Sequence, residues 1–414
     1  MTELYPVLDG SGRLQGAAGS GGDAFRYCSF RGGCRYYLWM TPFEAWDVTG
    51  LLSRRGTLEL EGPGGRGFAP LASWVASPPY VHAYAVSSLD DYVDYLRRVV
   101  GRELRGRRVL LGFSGGKDSV AALAVLLRLA EYVPIKLHVM YIHIPFLESE
   151  RSVRFVETVA RRLSIEIDIV EAPRREMKTL MKWRGLPRRG YRYCTVYKAK
   201  PMRILRKEDP RLVEVIGDRL TESPKRFARL SKALAARVLL AGRKFRPTYL
   251  FTLLDVVKLV RNLGLVHPDY LDGLPRVACS LCPYKSLYEF AWDRAPLEDP
   301  ELVEKVLKKE WSKWYSWIPF ETFLEQRLWR FSHALAKPLL YLKQLLLDKG
   351  PLPGVSAASA AAVVKRLWEG PLPEAPVLRS PWLAGELALR AARRRLAIAL
   401  PSPAEEEEPG GGQG

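Results

Sequence analysis

Apolar residues follow two different periods along the central part of the chain. Three apolar runs, RRVLLGF from residue 107, IKLHVMYIHI from residue 135 and IEIDIVEAP from residue 165, are typical of strands. Between them, DSVAALAVLLRLAEY and ESERSVRFVETVARRL place apolar residues at helical spacing. The first two strands are nearly continuous apolar runs, as expected where helices cover both faces of a parallel sheet. The pattern therefore predicts an α/β fold with a doubly wound parallel sheet.

The other segments predict how the chain is organised around this sheet. Residues 1–87 mix aromatic and β-branched stretches with glycine and proline, which predicts an N-terminal β-rich or irregular module. Residues 88–295 hold the α/β domain, which continues with a strand in RLVEVIGDRL and a helix in FTLLDVVKLVRNLGL. Residues 296–400 predict a helical C-terminal extension, with helices in the tryptophan-rich stretches ELVEKVLKKEWSKWYSW and LEQRLWRFSHALAKPLLYLKQLLL and in LAGELALRAARRRLAIAL at 383–400. Residues 401–414, PSPAEEEEPGGGQG, predict a disordered tail.

The net charge of +19 favours a polyanionic partner such as nucleic acid. A second interpretation is adaptation to heat, because the chain has one asparagine and four glutamines among many charged residues. We therefore expect a thermophilic, archaeal source, in which part of the arginine content would serve stability.

The chain also lacks the signals of membrane insertion and export. No apolar run approaches the roughly 18 residues of a membrane-spanning helix. The amino terminus has no basic start followed by an apolar segment, as a secretory signal would. We expect a cytoplasmic protein that does not bind membranes.

The first apolar strand runs into a glycine-rich turn, SGGKDS. Its two glycines permit a sharp turn that exposes backbone N–H groups, and the positive end of the next helix points to the same place. The lysine adds a positive charge, the serine hydroxyls can donate to phosphate oxygens, and the aspartate could hold Mg²⁺. The predicted nucleotide-binding residues are Ser114, Gly115, Gly116, Lys117, Asp118 and Ser119, with Asp118 as the Mg²⁺ ligand.

The turn differs from two common nucleotide-binding motifs. A Walker A loop would need glycine at Leu111 and serine or threonine at Asp118, and the dinucleotide motif GxGxxG is absent. A tight turn with solvated charges is the structural alternative. The order of strand, loop and helix favours a phosphate site instead.

SGGKDS at this position resembles the PP-loop of the ATP pyrophosphatases, adenine nucleotide alpha hydrolase-like proteins of HUP fold. Their members split ATP between the α and β phosphates and adenylate a substrate, which implies that Lys117 and Asp118 are catalytic. Three further segments resemble the branch of phosphoadenosine phosphosulfate (PAPS) reductases: RYCTVYKAKP at 192–201, VIGDRLTESPKR at 215–226 and LVHPDYLDGLPRVACSLCP at 265–283. The second segment matches that branch at Gly217, Arg219, Glu222, Ser223 and Arg226, which the resemblance adds to the nucleotide site. The likeness covers roughly residues 105–295.

The five cysteines are too few for a disulfide scaffold of this size. Cys279 and Cys282 form CSLC, whose spacing is used for zinc and for iron–sulfur clusters. Cys28 and Cys34 have no good metal spacing, and we interpret them as structural or unpaired.

The resemblance implies that Cys194 lies near the CSLC cysteines and is catalytic. Three thiolates could hold a [4Fe–4S] cluster with one iron open to carry sulfur, as in related tRNA thiolation enzymes. A zinc site completed by His267, Asp269 or an N-terminal cysteine is one alternative, and a disulfide or free thiols is another. His138 and His143 lie on a predicted strand and are interpreted as structural.

Two basic segments adjoin the motifs of this resemblance. Residues 174–192 carry eight basic residues around one acid, and residues 219–246 carry nine around Glu222. They could hold a phosphate backbone, with Trp183, Tyr191 and Tyr193 stacking on exposed bases. Solvated helix faces are the structural alternative.

Three functions follow from these features. The first is ATP-dependent sulfur transfer to a nucleic-acid base, with tRNA favoured and DNA open, in which ATP and Mg²⁺ activate the base and a sulfur donor acts at the cysteines. The second is PAPS or adenosine phosphosulfate reduction, which is disfavoured because no cysteine follows Cys282 to serve as the nucleophile. The third is a regulator that binds nucleotide without turnover.

Overall fold

The computed structural model describes residues 3–29, 33–52, 57–62, 65–70, 83–387 and 389–390. The tail predicted to be disordered, 401–414, lies outside these residues, as does most of the helix predicted over 383–400.

An antiparallel sheet opens the chain, which confirms the predicted N-terminal β-rich module. Its strands are β1 (Glu3–Leu8), β2 (Leu14–Gly21), β3 (Ala24–Ser29), β4 (Cys34–Trp39) and β5 (Glu44–Asp47). Successive strands pair with each other, and the far edge is completed by Gly354–Ser356, which pairs antiparallel with β5. A separate hairpin is formed by β6 (Thr57–Gly62) and β7 (Gly65–Pro70). The N-terminal sheet is therefore built partly from the C-terminal part of the chain.

The N-terminal cysteine pair belongs to this sheet. Cys34 is disulfide-bonded, and Cys28 occupies the position directly opposite it across β3 and β4. Of the two interpretations of this pair, the structure supports the structural one.

The central sheet confirms the predicted doubly wound α/β fold. Its strands are β8 (Arg108–Phe113), β9 (Lys136–His143), β10 (Asp168–Glu171), β11 (Val213–Val215), β12 (Leu240–Ala241) and β13 (Lys244–Phe245). They lie in the order β10-β9-β8-β11-β13-β12, and all neighbours pair in parallel except β12 and β13. Strand β11 is shorter than its apolar run predicts, because the chain leaves the sheet to form one wall of the site described below.

Helices surround this sheet. They are α1 (Leu89–Leu104), α2 (Lys117–Ala130), α3 (Glu150–Leu163), α4 (Arg174–Arg184), α5 (Cys194–Glu208), α6 (Pro224–Ala235), α7 (Leu253–Asn262), α8 (Pro268–Leu271) and α9 (Leu287–Trp292). Three of them, α2, α3 and α7, confirm helices predicted from the sequence. Helix α2 is apolar on nearly every side because it packs between β8, α1 and α7. Serine or threonine side chains cap several of these helices. At α7 the Thr252 hydroxyl and the Asp255 carboxylate form a complete capping box.

The C-terminal extension is helical, as predicted, but one predicted helix is broken. Its elements are α10 (Pro300–Trp314), α11 (Phe320–Glu325), α12 (His333–Asp348), β14 (Gly354–Ser356) and α13 (Ala357–Glu369). Between α11 and α12, Arg327 adopts a left-handed backbone conformation and starts a 3₁₀ turn. The turn buries Trp329 and Arg330 completely, which a continuous helix would not do. No helix among the described residues has the length and apolar character needed to cross a membrane.

Arg330 connects the N-terminal sheet with the C-terminal helices. Its Nη2 donates to both carboxylate oxygens of Asp23, at 2.8 and 2.9 Å, and its Nη1 donates to the carbonyl of Lys285. Burial opposes the charge of Asp23, but Arg330, Arg189 and Lys343 together outweigh it and keep the pKa of that carboxyl below its ordinary value. This pair links three parts of the chain in the interior.

Replacing Arg330 with alanine is expected to lower the free energy of unfolding by about 3–5 kcal/mol, because Asp23 would be left as a buried charge without its main partner. Urea denaturation followed by tryptophan fluorescence would measure the change. The control is Arg35→Ala, which removes an ion pair with Asp47 in which Arg35 is 66% exposed. That variant should lose no more than about 1 kcal/mol, and equal losses for both variants would contradict the assignment.

Candidate active site

Three loops meet where the central strands end. They follow β8, β9 and β11 and carry SGGKDS, the segment 144–149 with Glu148, and the segment 216–223. In open α/β sheets, ligands bind outside the carboxyl ends of the strands. The topology thus brings two predicted motifs to the usual ligand-binding edge.

The glycine-rich turn has the conformation that a phosphate loop requires. Gly115 has a φ of +72°, and a Cβ at this residue would lie 3.3 Å from the Phe155 ring. The hydroxyl of Ser119 donates to the carbonyl of Gly116 at 2.8 Å and lies 3.1 Å from the hydroxyl of Ser114. The two predicted serines therefore stabilise the turn itself, and Gly116 precedes the first residue of α2.

Lys117 and Asp118 form the charged centre of the turn. Lys117 is buried, its Nζ lies 3.4 Å from Asp118 Oδ2, and its backbone N–H donates to the Tyr270 hydroxyl at 3.0 Å. Burial opposes the lysine charge, but Asp118, Tyr5 and Tyr270 together outweigh it, so the pKa of Lys117 is raised. On its other oxygen, Asp118 accepts a hydrogen bond from Arg219 Nε at 2.6 Å. A Mg²⁺ held by Asp118 would share this carboxylate with two cationic side chains.

The segment after β11 closes against the turn. Gly217 packs beside the backbone of Asp118, where a Cβ would make an ordinary contact of 3.4 Å with the Asp118 carbonyl oxygen. Burial, with the nearby Arg226, lowers the pKa of Arg219 to about 9. Ser223 caps α6 by accepting from the backbone N–H of Arg226, whose guanidinium pairs with Glu222. All five residues predicted in this motif lie in one loop and the start of one helix beside Asp118.

The structure also brings the three distant cysteines together. Cys194 is the first residue of α5, while Cys279 and Cys282 lie in one turn closed by a backbone hydrogen bond of 3.0 Å. Each of the three thiols interacts electrostatically with the other two. Burial raises the pKa of the Cys194 thiol, and it raises that of Cys279 further, with Glu148 acting in the same direction. The three are free thiols rather than a disulfide.

Glu148 and Lys198 lie beside the three cysteines, and these five residues form what we call the thiol pocket. Neither Glu148 nor Lys198 was predicted from the sequence as a site residue. Cys279 Sγ donates to Glu148 Oε1 at 3.4 Å, and the Lys198 ammonium pairs with the same oxygen. The second oxygen, Oε2, accepts from the backbone N–H of Ile144 at 2.9 Å and lies 3.7 Å from Nδ1 of His143. The sequence signal for Glu148 is its position as an acid just beyond the end of a buried strand. The lysine lies one helical turn after Cys194.

Tyr5 and Arg276 lie between the phosphate turn and the thiols. The Lys117 ammonium lies 5.8 Å from the centre of the Tyr5 ring, and the Tyr5 hydroxyl donates to the carbonyl of Pro275. Arg276 interacts electrostatically with both Tyr5 and Cys282 and bonds Glu289 at 3.2 Å. The turn and the thiols are thus parts of one site, to which the N-terminal sheet contributes a residue.

The residues considered for a zinc site have other partners. His267 is buried against Phe155 beneath the glycine turn, with its Nδ1 accepting from the backbone N–H of Asp269. Burial lowers the pKa of His267 to about 3, and it raises that of Asp269, which faces Arg151, to about 6. Within the described part of the chain, no three His, Cys, Asp or Glu side chains are placed as a metal-binding group. The three thiols have the donor chemistry for a cluster, but their placement here is not that of metal ligands.

The predicted aromatic and histidine residues divide between surface and interior. Trp183 is 82% exposed and Tyr191 is 41% exposed, whereas Tyr193 is buried beside Cys194 and donates to the carbonyl of Gly185 at 3.1 Å. Tyr193 is therefore not free to stack on a base. His138 lies between Arg108 and Asp168, as a structural histidine would, whereas His143 lies at the thiol pocket.

Sheet order, turn and converging motifs define a doubly wound α/β domain whose glycine-rich turn is similar to a PP-loop. More specifically, residues 108–285 match the family described as the phosphoadenosine phosphosulfate reductase domain. The match runs from the first residue of β8 to just beyond Cys282 and covers rather less than half of the chain. This segment is therefore similar to that family's domain. No curated protein matches the chain.

Three solved structures illustrate what the fold is similar to. The U34-tRNA thiolase NcsA from Methanococcus maripaludis, solved with its [4Fe-4S] cluster, is 15% identical with a TM-score of 0.36, covering 69% of this chain and 90% of its own. The NAD+ synthetase from Burkholderia pseudomallei is 16% identical with a TM-score of 0.28, covering 55% and 92%. The NMN synthetase from Francisella tularensis is 10% identical with a TM-score of 0.30, covering 71% and 100%.

Proposed function

We propose that this protein is an ATP-dependent enzyme that transfers sulfur to a base of a nucleic acid, with tRNA as the favoured substrate. The observation that carries the proposal is the joining of the SGGKDS turn and the three thiols into one site through Tyr5 and Arg276. A phosphate-binding turn alone would suit many nucleotide-binding proteins. Three thiols beside it provide a place for sulfur chemistry.

In the first step, the turn would hold the phosphates of ATP. Its backbone N–H groups and the start of α2 face the phosphates, and the buried Lys117 lies where charge develops on the leaving pyrophosphate. Mg²⁺ bound at Asp118 would neutralise part of that charge. The carbonyl oxygen of the base attacks the α-phosphorus, the bond to the β-phosphate breaks, and pyrophosphate leaves.

In the second step, the adenylated base would receive sulfur at the thiol pocket. A sulfur atom at the oxidation level of sulfide attacks the activated carbon, a carbon–sulfur bond forms, and the carbon–oxygen bond breaks as AMP leaves. Lys198 supplies a positive charge next to Cys194 and Cys279, which favours an anionic sulfur there. A cluster or a zinc ion held by Cys194, Cys279 and Cys282 remains a prediction, and no step here depends on it.

The charge distribution supports a nucleic-acid substrate. Helix α4 carries much of the basic character predicted for residues 174–192, and Trp183 and Tyr191 expose aromatic rings on this helix and just after it. Cationic side chains interleaved with exposed aromatic rings are typical of surfaces that bind unpaired nucleotides.

Release of AMP and pyrophosphate by the purified full chain tests this function. With ATP labelled on the α-phosphate, we expect AMP and pyrophosphate in equal amounts and a clear stimulation by bulk tRNA over duplex DNA. Formation of ADP, or no AMP with any nucleic acid, would contradict the proposal. Stimulation by DNA instead of tRNA would support the proposed reaction with DNA, rather than tRNA, as the substrate.

Sulfonucleotide reduction is the second candidate, because the matching family carries that description. A reductase would form sulfite from PAPS or adenosine phosphosulfate with thioredoxin as the reductant. The same preparation can be assayed for sulfite, and a positive result without AMP release would favour this reaction.

A further inference from the structure

A groove between α4 and α10 lies next to the thiol pocket and takes no part in the reaction proposed above. It has a volume of about 250 Å³. This lies just below the range of roughly 300–1,000 Å³ that is usual for drug-sized ligands, so the groove suits a single planar ring. Its lining residues are Met181, Lys182, Trp183, Arg184, Gly185, Arg188, Val306, Lys309, Glu310, Lys313 and Trp314.

The rim of this groove is cationic and aromatic. Five of the lining side chains are lysine or arginine. Trp183 is 82% exposed on one side, and Trp314 is 41% exposed on the other, where it stacks face to face on His333 at 4.6 Å. Lys309 donates to the carbonyl of Lys182 at 3.0 Å and so ties the two helices together. Rings for stacking and charges for phosphate therefore border the same small cavity.

The floor of the groove carries an acceptor without a partner. Glu310 Oε2 is buried and has no hydrogen-bond partner among the described residues. Gly185 ends α4 with a φ of +77°, a backbone conformation that favours glycine, and a Cβ there would lie 3.0 Å from this oxygen. Burial raises the pKa of Glu310 to about 7, although Arg188 opposes the shift. The groove thus offers one acceptor to a ligand that donates hydrogen bonds.

A short path of residues connects the groove to the thiols. Tyr193 donates to the carbonyl of Gly185 and interacts electrostatically with both Glu310 and Cys194, the next residue in the chain. On the surface, the Arg188 guanidinium lies 5.9 Å from the Tyr191 ring, which contacts Tyr193 edge to face. A nucleotide in the groove would therefore lie a short distance along the strand from a base at the thiol pocket.

We propose that this groove binds one unpaired nucleotide that neighbours the modified base in the substrate strand. The inference rests on the proposed function, from which it takes the nucleic-acid substrate. The base stacks on Trp183 with its edge towards Glu310, and the flanking phosphates contact the lysines and arginines of the rim. The charged form of Glu310, which predominates above about pH 7, favours bases with an exocyclic amino group over uracil, whose single N3–H donor lies between two carbonyl oxygens.

The test is binding of fluorescein-labelled octamers of adenosine and of uridine to the full chain, measured by fluorescence anisotropy. Trp183→Ala is expected to raise the Kd for the adenosine octamer about tenfold, since aromatic stacking dominates such sites. The matched control is Tyr132→Ala. Tyr132 lies just after the C-terminal end of α2, is 47% exposed, and has two arginine side chains near its ring. The Kd of Tyr132→Ala should remain within twofold of wild type.

Glu310→Gln tests the acceptor separately. It should reduce the preference for adenosine over uridine while leaving the melting temperature unchanged. Equal Kd values for wild type and Trp183→Ala would overturn the groove assignment and leave the proposed function intact. Tight, Trp183-dependent binding without any AMP release would support the groove and refute the proposed reaction, and a wild type that binds neither octamer would overturn the groove.

Discussion

Replacing Lys117 with alanine is expected to reduce the kcat for AMP and pyrophosphate release by about 10²–10³-fold. The magnitude is that of removing one preorganised donor from the position where transition-state charge develops. Lys117 is buried within 3.4 Å of Asp118 and near the rings of Tyr5 and Tyr270. Its charge is therefore held in place before ATP binds, and little reorganisation is needed during the reaction.

The division of this effect between kcat and KM is informative. A lysine that only anchors ATP would raise KM and leave kcat unchanged, whereas one that acts on the leaving pyrophosphate lowers kcat. Steady-state assays with radiolabelled ATP measure both. Lys305→Ala, an exposed lysine on α10, is the control and should match wild type. Unchanged turnover in Lys117→Ala, with the melting temperature preserved, would exclude this role.

The central fold was predictable because its signals are local. The apolar runs at 108–113 and 136–143 and the helical spacing between them depend only on near neighbours in sequence. The SGGKDS turn is equally local, since a strand, two glycines and a helix start already determine where its N–H groups point. The motif from Gly217 to Arg226 has no such local signal, and only the family resemblance predicted that it belongs to the nucleotide site.

Contacts between distant parts of the chain could not be predicted in this way. Nothing about Tyr5 in the sequence indicates that its ring lies near Lys117, because the two residues are far apart along the chain. The pairing of Gly354–Ser356 with β5 leaves no periodic signal in a three-residue strand. These contacts result from tertiary packing.

Polar residues near the site were hard to interpret for a related reason. Glu148 resembles an ordinary loop acid in the sequence, and its role is visible only when Cys279 and Lys198 are seen to contact it. Tyr193 was expected to stack on bases, but its ring is buried because its hydroxyl bonds Gly185. Residue type suggested the chemistry, and burial decided which residues are available for it.

Changing Cys279 to serine is expected to separate the two proposed steps. Serine keeps a donor for Glu148 Oε1, so the local hydrogen bond and the fold should survive. Its hydroxyl cannot act as a thiolate near neutral pH, so formation of the thiolated base should fall by more than about 100-fold. Adenylation occurs at the turn and not at the thiols, and AMP release with tRNA should therefore persist, with water in place of sulfur as the acceptor.

Both steps can be followed in one reaction. Thiolated nucleosides are measured by mass spectrometry after digestion of the tRNA, and AMP is measured in parallel. Ser280→Ala, a change at the buried neighbour in the same turn, is the control and should retain both products. If Cys279→Ser loses AMP release and thiolation together, the thiols take part in activation itself. If the variant still thiolates tRNA, sulfur is delivered elsewhere. Cys194, Cys279 and Cys282 would then have a structural role only.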